Sequence, residues 1–152
     1  MTANNSAPAF ALIMLLTGVG IPILAALNGG LGARLGSPMA ASMILFGLAF
    51  LIAAAGVLLT GSAGQVRFTS EIPPQFYFGG LFVAFYVIAV TFIAPKFGVG
   101  NAIFFVLVGQ LISAATIDHF GLFGAICSAI DLKRAAGIAL MIAGVYLARK
   151  TA

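Results

Sequence analysis

The feature that most constrains the fold is a series of apolar runs, each close to the length that crosses a lipid bilayer. A helix needs about 20 mostly apolar residues to span the roughly 30 Å hydrocarbon core. Backbone groups in lipid must find partners within the chain, which predicts that each run is a helix. The predicted spans cover about residues 8–31, 39–60, 75–94, 101–117 and 135–148.

The scarcity of charge excludes a water-soluble domain. Of the 152 residues, 62% are hydrophobic and 7% are charged, whereas a soluble domain carries about 25% charged residues. The net charge is +4, but the basic residues are scattered singly or in pairs between the apolar runs. A nucleic-acid footprint would be a clustered basic patch, so we expect membrane lipid, and no nucleic acid, as a partner.

These features predict an all-α, polytopic integral membrane protein with five transmembrane helices, in which residues 1–152 form a single transmembrane domain. The first run is too long for a signal-peptide core, so we expect it to be a retained span. Residues 120–130 are too few to cross and predict an interfacial or partly buried connection, with a sixth partial helix as the alternative. The fifth run spans only if the basic residues at its ends snorkel.

The breaks between the runs are rich in glycine and proline. GARLGSP, residues 32–38, and APKFGVG, residues 94–100, are therefore predicted turns. The longest polar connection, residues 61–74, is predicted to lie outside the membrane.

Five spans put the two termini on opposite sides, and the basic residues of the connections divide almost equally between those sides. The N-terminal side holds three and the other side four, namely Arg67, Lys133 and Arg134 against Arg34, Lys96, Arg149 and Lys150. The positive-inside rule then places the N-terminus outside the cytoplasm. The near balance also permits dual topology, in which copies insert both ways and pair antiparallel.

Polar side chains at membrane depth are the candidate functional residues, because they are costly there and face an interior, a cavity or one another. Gln110 lies near the middle of the fourth run, and Ser113 is three residues further on the same helix face. These two side chains either line a central substrate pathway or join helices by hydrogen bonds.

Two residues of the first run are further pathway candidates. Pro22 leaves the carbonyl of Gly18 without its helical donor and predicts a kink. Kinked helices expose backbone carbonyls to substrate in many transporters, although such kinks also occur without function. Asn28 either hydrogen-bonds across helices or caps the span near the interface.

Asp118 and His119 close the fourth run. A carboxylate at a helix C-terminus is opposed by the helix dipole, so Asp118 needs a partner. One hypothesis is structural: Asp118 caps the following segment or pairs with Lys133 or Arg134 and anchors the connection. The other is a gate or proton-sensitive site that uses Asp118 and His119 together, because histidine is the residue type suited to a proton switch.

The sequence contains no catalytic constellation. It has one histidine and one cysteine, and Glu71, Asp118 and Asp131 lack the spacing of paired catalytic carboxylates. No phosphate-binding glycine loop precedes a helix. We therefore expect no enzyme activity, no cofactor and no metal site.

Several segments together carry a resemblance to a known family, namely IPILAALNGGLGARLGSPMAAS, FYFGG after a proline, APKFGVGNA, GQLISAATIDHFGLFG and AAGIALMIAGVYL. They resemble the YdcZ-type family of the drug/metabolite transporter (DMT) superfamily over residues 18–147. Two positions depart from the family: Leu24 stands where glutamine is usual, and Phe76 where tryptophan is frequent. The first span also lacks the acid of small multidrug-resistance proteins, so their proton antiport does not carry over.

The resemblance implies a small-solute transporter of the cell inner membrane that works by alternating access. Larger members have ten spans in two inverted five-span halves, so this chain is similar to one half. A pair is implied, as a homodimer or with a paralogous five-helix chain. The last helix resembles that of small multidrug-resistance proteins, which implies a dimer contact at Gly137 and Gly144; packing within the chain is the alternative. The second functional hypothesis is a non-transporting membrane subunit that stabilises or regulates a larger partner.

The charge balance gives a first test. If the chain has dual topology, two lysines added to one connection should shift the fraction of a C-terminal reporter that lies inside the cell. Reporter fusions on both sides of the membrane measure that fraction. A fraction that does not move would contradict dual topology.

Overall fold

The computed structural model describes residues 7–66 and 72–148, so Arg67, Glu71, Arg149 and Lys150 lie outside the described part. Within it, every regular element is helical, which confirms the all-α prediction. The five α-helices are α1 (Ala7–Leu35), α2 (Pro38–Leu59), α3 (Gly79–Phe97), α4 (Val99–Phe120) and α5 (Leu132–Ala148). Short 3-10 helices occupy Ser62–Gln65, Pro74–Phe78 and Leu122–Gly124.

Four described segments are long and apolar enough to cross a membrane, namely Ala7–Leu35, Pro38–Leu59, Pro74–Phe97 and Val99–Phe120. The protein is therefore a polytopic membrane protein. α5 has 17 residues, about 26 Å at 1.5 Å per residue, so its crossing stays a prediction. It begins three residues before the predicted span, which places Lys133 and Arg134 in its first turn.

The helices fall into two compact units. Unit 1, residues 1–96, holds α1, α2 and nearly all of α3. Unit 2, residues 97–152, holds α4 and α5. Each unit is described below by itself.

The predicted turn over residues 32–38 is wrong in extent. α1 continues to Leu35, and Gly36 and Ser37 alone separate it from α2. Gly36 has a positive φ of 64°, and the Ser37 hydroxyl accepts from the Ala40 N–H at 3.1 Å to cap α2. Gly32 stays helical because it serves close packing: a Cβ there would lie 3.2 Å from the Cα of Pro38.

The C-terminal ends of α3 and α4 also differ from the predicted ones. α3 runs through Pro95 to Phe97, so Gly98, with a φ of 90°, is the single residue before α4. α4 continues three residues past the predicted end, to Phe120, and stops at Gly121, whose φ is 59°. In both cases the helix ends at a glycine with a positive φ, which other residues avoid, and Gly121 has the left-handed conformation of a helix C-cap.

One face of α1 and one face of α3 form the core of unit 1. Each buries residues at the i, i+3, i+4, i+7 spacing of a helix face, namely Ala25, Asn28, Gly29 and Gly32 on α1 and Val87, Val90, Thr91 and Ala94 on α3. α2 adds Ala41 and Ser42. Small residues let helix backbones approach closely, which is the main source of packing energy between helices in lipid.

A buried hydrogen bond joins the two faces. The Nδ2 of Asn28 donates to Oγ1 of Thr91 at 2.6 Å, and that hydroxyl donates to the Val87 carbonyl at 2.7 Å. The two side chains are 4% and 1% exposed. Of the two roles predicted for Asn28, the structure therefore contains the bond across helices.

We predict that Thr91→Val destabilises the protein by about 0.6–1.7 kcal/mol, the average and the maximum measured for side-chain hydrogen bonds between membrane helices. Valine keeps the shape but leaves the Asn28 amide without its acceptor. Unfolding of the detergent-purified protein measures the effect. Thr17→Val is the matched control, because the exposed Thr17 hydroxyl bonds only to the Ile13 carbonyl of its own helix. Equal stability of the two variants would contradict the role of this bond.

Candidate functional site

In unit 1, Asn28 lines an apolar cavity of about 310 Å³ between α1 and α2. The remaining lining is aliphatic, namely Leu24, Leu27, Leu31, Ile44, Leu45 and Leu48. The Nδ2 of Asn28 is engaged with Thr91, so its carbonyl oxygen is the acceptor that it can offer to a solute. Leu24 adds to the apolar part of this lining. Pro22 lies six residues before Asn28 in α1, which is continuous through the proline.

In unit 2, Gln110 and Ser113 are exposed near the middle of α4. Neither side chain hydrogen-bonds to any residue in the described part of the chain. Thr116 illustrates the contrast, because its hydroxyl donates to the Ile112 carbonyl at 2.8 Å and so is satisfied within its own helix. A glutamine amide carries two donors and an acceptor. Within the described residues, Gln110 therefore leaves more hydrogen-bonding groups without a partner than Ser113 does.

Asp118 forms an ion pair with Arg134 of α5, at 2.5 Å between Oδ2 and Nη2. Of the two cations that the sequence offered, Arg134 is thus the partner. Its Nη1 also donates to the carbonyl and hydroxyl of Ser128, at 3.1 and 3.3 Å. The guanidinium therefore holds the end of α4, the connection and the start of α5 together. Its positive charge also offsets the unfavourable position of a carboxylate at a helix C-terminus.

The connection folds back onto the end of α4. The Asp118 carbonyl accepts from the Ser128 N–H at 2.7 Å, and the His119 carbonyl accepts from the Cys127 thiol at 3.4 Å. The His119 ring accepts from the Ile130 N–H through Nδ1 at 3.0 Å, so the neutral ring carries its proton on Nε2. The carbonyls that a helix end leaves unpaired are in this way satisfied by the chain itself.

We call the segment from Gly121 to Asp131, with its contacts to Asp118, His119 and Arg134, the connection clamp. Its helical content is one 3-10 turn, so the alternative of a sixth partial helix does not hold. Phe123 has a φ of 57°, a conformation that a bulky residue rarely adopts. Asp131 ends the clamp by accepting from the Arg134 N–H at 2.6 Å, the geometry of an N-cap.

Gly137 and Gly144 lie on an open face of α5. A Cβ built at either position would meet nothing within 4 Å, and no described residue of α5 is buried. The described chain therefore does not use this small-residue face for close packing.

The comparisons with known proteins bear on the family. The family model described as "Putative inner membrane exporter, YdcZ" matches residues 9–147. The chain belongs to this family. No curated protein and no solved structure matches it. Family and helices together make it a multi-pass protein of the inner membrane, in a family of transporters.

The predicted site residues thus fall into two sets, one in each unit. Asn28 and Pro22 belong to unit 1; Gln110, Ser113, Asp118, His119 and the α5 glycines belong to unit 2. Asp118 and His119 are neighbours, but their side chains have different partners. Within the described residues, no group of three or more His, Cys, Asp or Glu side chains could hold a metal ion.

Thr91 is the main residue that the sequence analysis missed. It is a hydroxyl-bearing residue in α3, which contains no acid or amide, and the rule that selected Gln110 would have selected it too. The sequence analysis counted Lys96 only for the positive-inside rule, although its ammonium lies 3.7 Å from the centroid of the Phe92 ring.

We predict that Arg134→Gln loosens the connection clamp. Loss of the ion pair and of the bonds to Ser128 should cost about 1–2 kcal/mol locally, which corresponds to a roughly 5–30-fold change in a local equilibrium. Hydrogen–deuterium exchange of the Ser128 and Ile130 amides should accelerate by that factor. Lys133→Gln, one residue away, is the control and should leave the exchange unchanged. Equal rates in the two variants would show that the guanidinium does not hold the segment.

Proposed function

We propose that the protein is half of an exporter, and that two five-helix chains together move a small organic solute by alternating access. The observation that carries this proposal is the exposed Gln110 at the middle of α4, whose amide has no hydrogen-bond partner among the described residues. The proposal includes no enzyme activity, cofactor or metal.

The argument starts from the cost of an amide in hydrocarbon. Moving a polar group from water to an apolar medium without a hydrogen-bond partner costs about 2–7 kcal/mol, depending on the reference state. Gln110 and Ser113 therefore need a neighbour that the described part of one chain does not provide. A water-filled solute pathway, or a second chain that encloses one, supplies it.

A pair of chains is supported by two further observations. The open Gly137–Gly144 face of α5 is suited to close contact with another helix. The nearly equal division of basic residues between the two predicted sides is compatible with an inverted pair. Both a homodimer and a pair with a paralogous chain satisfy these features.

The cavity at Asn28 supports the solute class. It is apolar except for one amide, and at about 310 Å³ it lies at the lower end of the roughly 300–1,000 Å³ range of small-molecule sites. A small organic molecule with an apolar body fits such a lining.

We expect Gln110→Ala to lower solute flux at least tenfold while the fold is retained. A thermal-stabilisation screen of the detergent-purified protein first identifies solutes, and their flux is then measured in vesicles that contain this chain alone. Thr116→Val is the control, because that hydroxyl is satisfied within α4, and its flux should match the wild type. Flux unaffected by Gln110→Ala would overturn the pathway role, and no flux of any stabilising solute would favour a non-transporting subunit.

Pairing is tested in the same preparation. Gly144→Leu adds bulk where the single chain has open space, so it should leave the monomer fold intact, lower the dimer fraction and lower flux with it. Light scattering after size-exclusion chromatography measures the dimer fraction. A dimer that persists would place the contact elsewhere.

A further inference from the structure

Unit 1 contains a second cavity, distinct from the one at Asn28. It has a volume of about 260 Å³ and lies where the turn between α1 and α2 meets the last turns of α3. Gly29 and Gly32 of α1 belong to its lining. The rest of its lining is Ala33, Gly36, Pro38, Thr91, Phe92, Pro95 and Lys96.

The chemistry of this lining is an apolar wall with one cation. Phe92, Ala33 and two proline rings offer hydrocarbon surface. The Lys96 ammonium is held over the Phe92 ring, a contact worth about 0.5–1 kcal/mol at an exposed site. The Thr91 hydroxyl is already engaged with Asn28 and Val87, so Lys96 is the charged group that the cavity presents.

No anion within the described residues balances this charge. The described part of unit 1 carries Arg34 and Lys96 and no acidic residue. Arg34 donates to the Gly30 carbonyl at 3.2 Å, and Lys96 forms no ion pair with any described residue. An exposed cation beside an apolar wall offers an amphipathic anion two contacts, one for its charge and one for its apolar body.

From this combination we propose that the cavity binds an amphipathic organic acid, with its carboxylate on Lys96 and its apolar body against Phe92 and Ala33. The cavity is smaller than most drug-sized sites, so an acid with a single alkyl chain of medium length, such as octanoate, fits. This inference rests on the proposed export function, because it names the substrate class. An anionic lipid headgroup offers the same charge, and the experiment separates the two.

The test measures binding alone, without flux. The full chain is placed in phosphatidylcholine nanodiscs and titrated with octanoate, and with octyltrimethylammonium as the charge-reversed match. Octanoate should bind and raise the melting temperature, and the cation should not. Equal effects of the two probes would overturn the proposal.

Variants then locate the site. Lys96→Gln should weaken octanoate binding at least tenfold, and Lys96→Arg should keep most of it. Ala33→Phe should weaken binding by filling the cavity, and its elution profile checks that it folds. Lys133→Gln removes a cation from the other unit and should bind as the wild type does. Undiminished binding by Lys96→Gln overturns the proposal.

A binding experiment in anionic lipid distinguishes a free organic acid from a lipid headgroup as the occupant of the cavity. In phosphatidylglycerol nanodiscs, octanoate should still bind if the site serves a free organic acid. Loss of binding there would assign the cavity to an anionic headgroup and overturn the substrate class. Failure of octanoate binding with solute flux intact removes this inference alone, whereas binding without any flux removes the exporter proposal alone.

Discussion

Hydrocarbon neither donates nor accepts hydrogen bonds, and this property of the solvent organises the molecule. Each polar group that enters the bilayer must be satisfied by protein or by water that the protein admits. Asn28 and Thr91 do so by the hydrogen bond between α1 and α3. The hydroxyls of Thr17 and Thr116 bond to a carbonyl one turn earlier in their own helix. Gln110 has neither kind of bond within the described residues, and for that reason it is the residue that most strongly indicates function.

Small residues decide where the helices of unit 1 come close. A Cβ at Gly29 would lie 3.1 Å from the Pro95 ring, and one at Gly32 would lie 3.2 Å from Pro38. Both distances are shorter than ordinary contact, so a side chain at either position would require the neighbouring proline to shift. The two glycines also belong to the lining of the cavity beside Lys96. The face of α1 that packs closely therefore also borders that cavity.

The length of the apolar runs was enough to predict the helical class and the approximate position of every helix. The ends were harder, because glycine and proline mark turns in water-soluble proteins more reliably than in membrane helices. Gly32 and Pro95 lie inside helices, where packing tolerates them. The ends depend instead on which glycine has a positive φ, and sequence does not reveal that.

The sequence indicated which polar residues would take part in hydrogen bonds and ion pairs, but it did not show which residues would be their partners. Asp118 had two adjacent basic candidates. Neighbouring helix residues point about 100° apart, so the start of α5 at Leu132 decides that Arg134, and not Lys133, faces Asp118. Asn28 was a candidate for a bond across helices, but its partner required the register between α1 and α3. Those registers come from tertiary packing, which a single sequence does not encode locally.

The connection clamp has a consequence for where the chain can sit in the bilayer. The Asp118, His119 and Ser128 carbonyls, the His119 ring nitrogen and the Arg134 guanidinium are bonded within the clamp, while Phe123 and Ile126 project outward and are 68% and 90% exposed. Most other residues of the clamp are also exposed, so their backbone groups depend on water. The clamp therefore suits the headgroup layer, where water reaches the backbone and the two outward side chains meet the edge of the hydrocarbon.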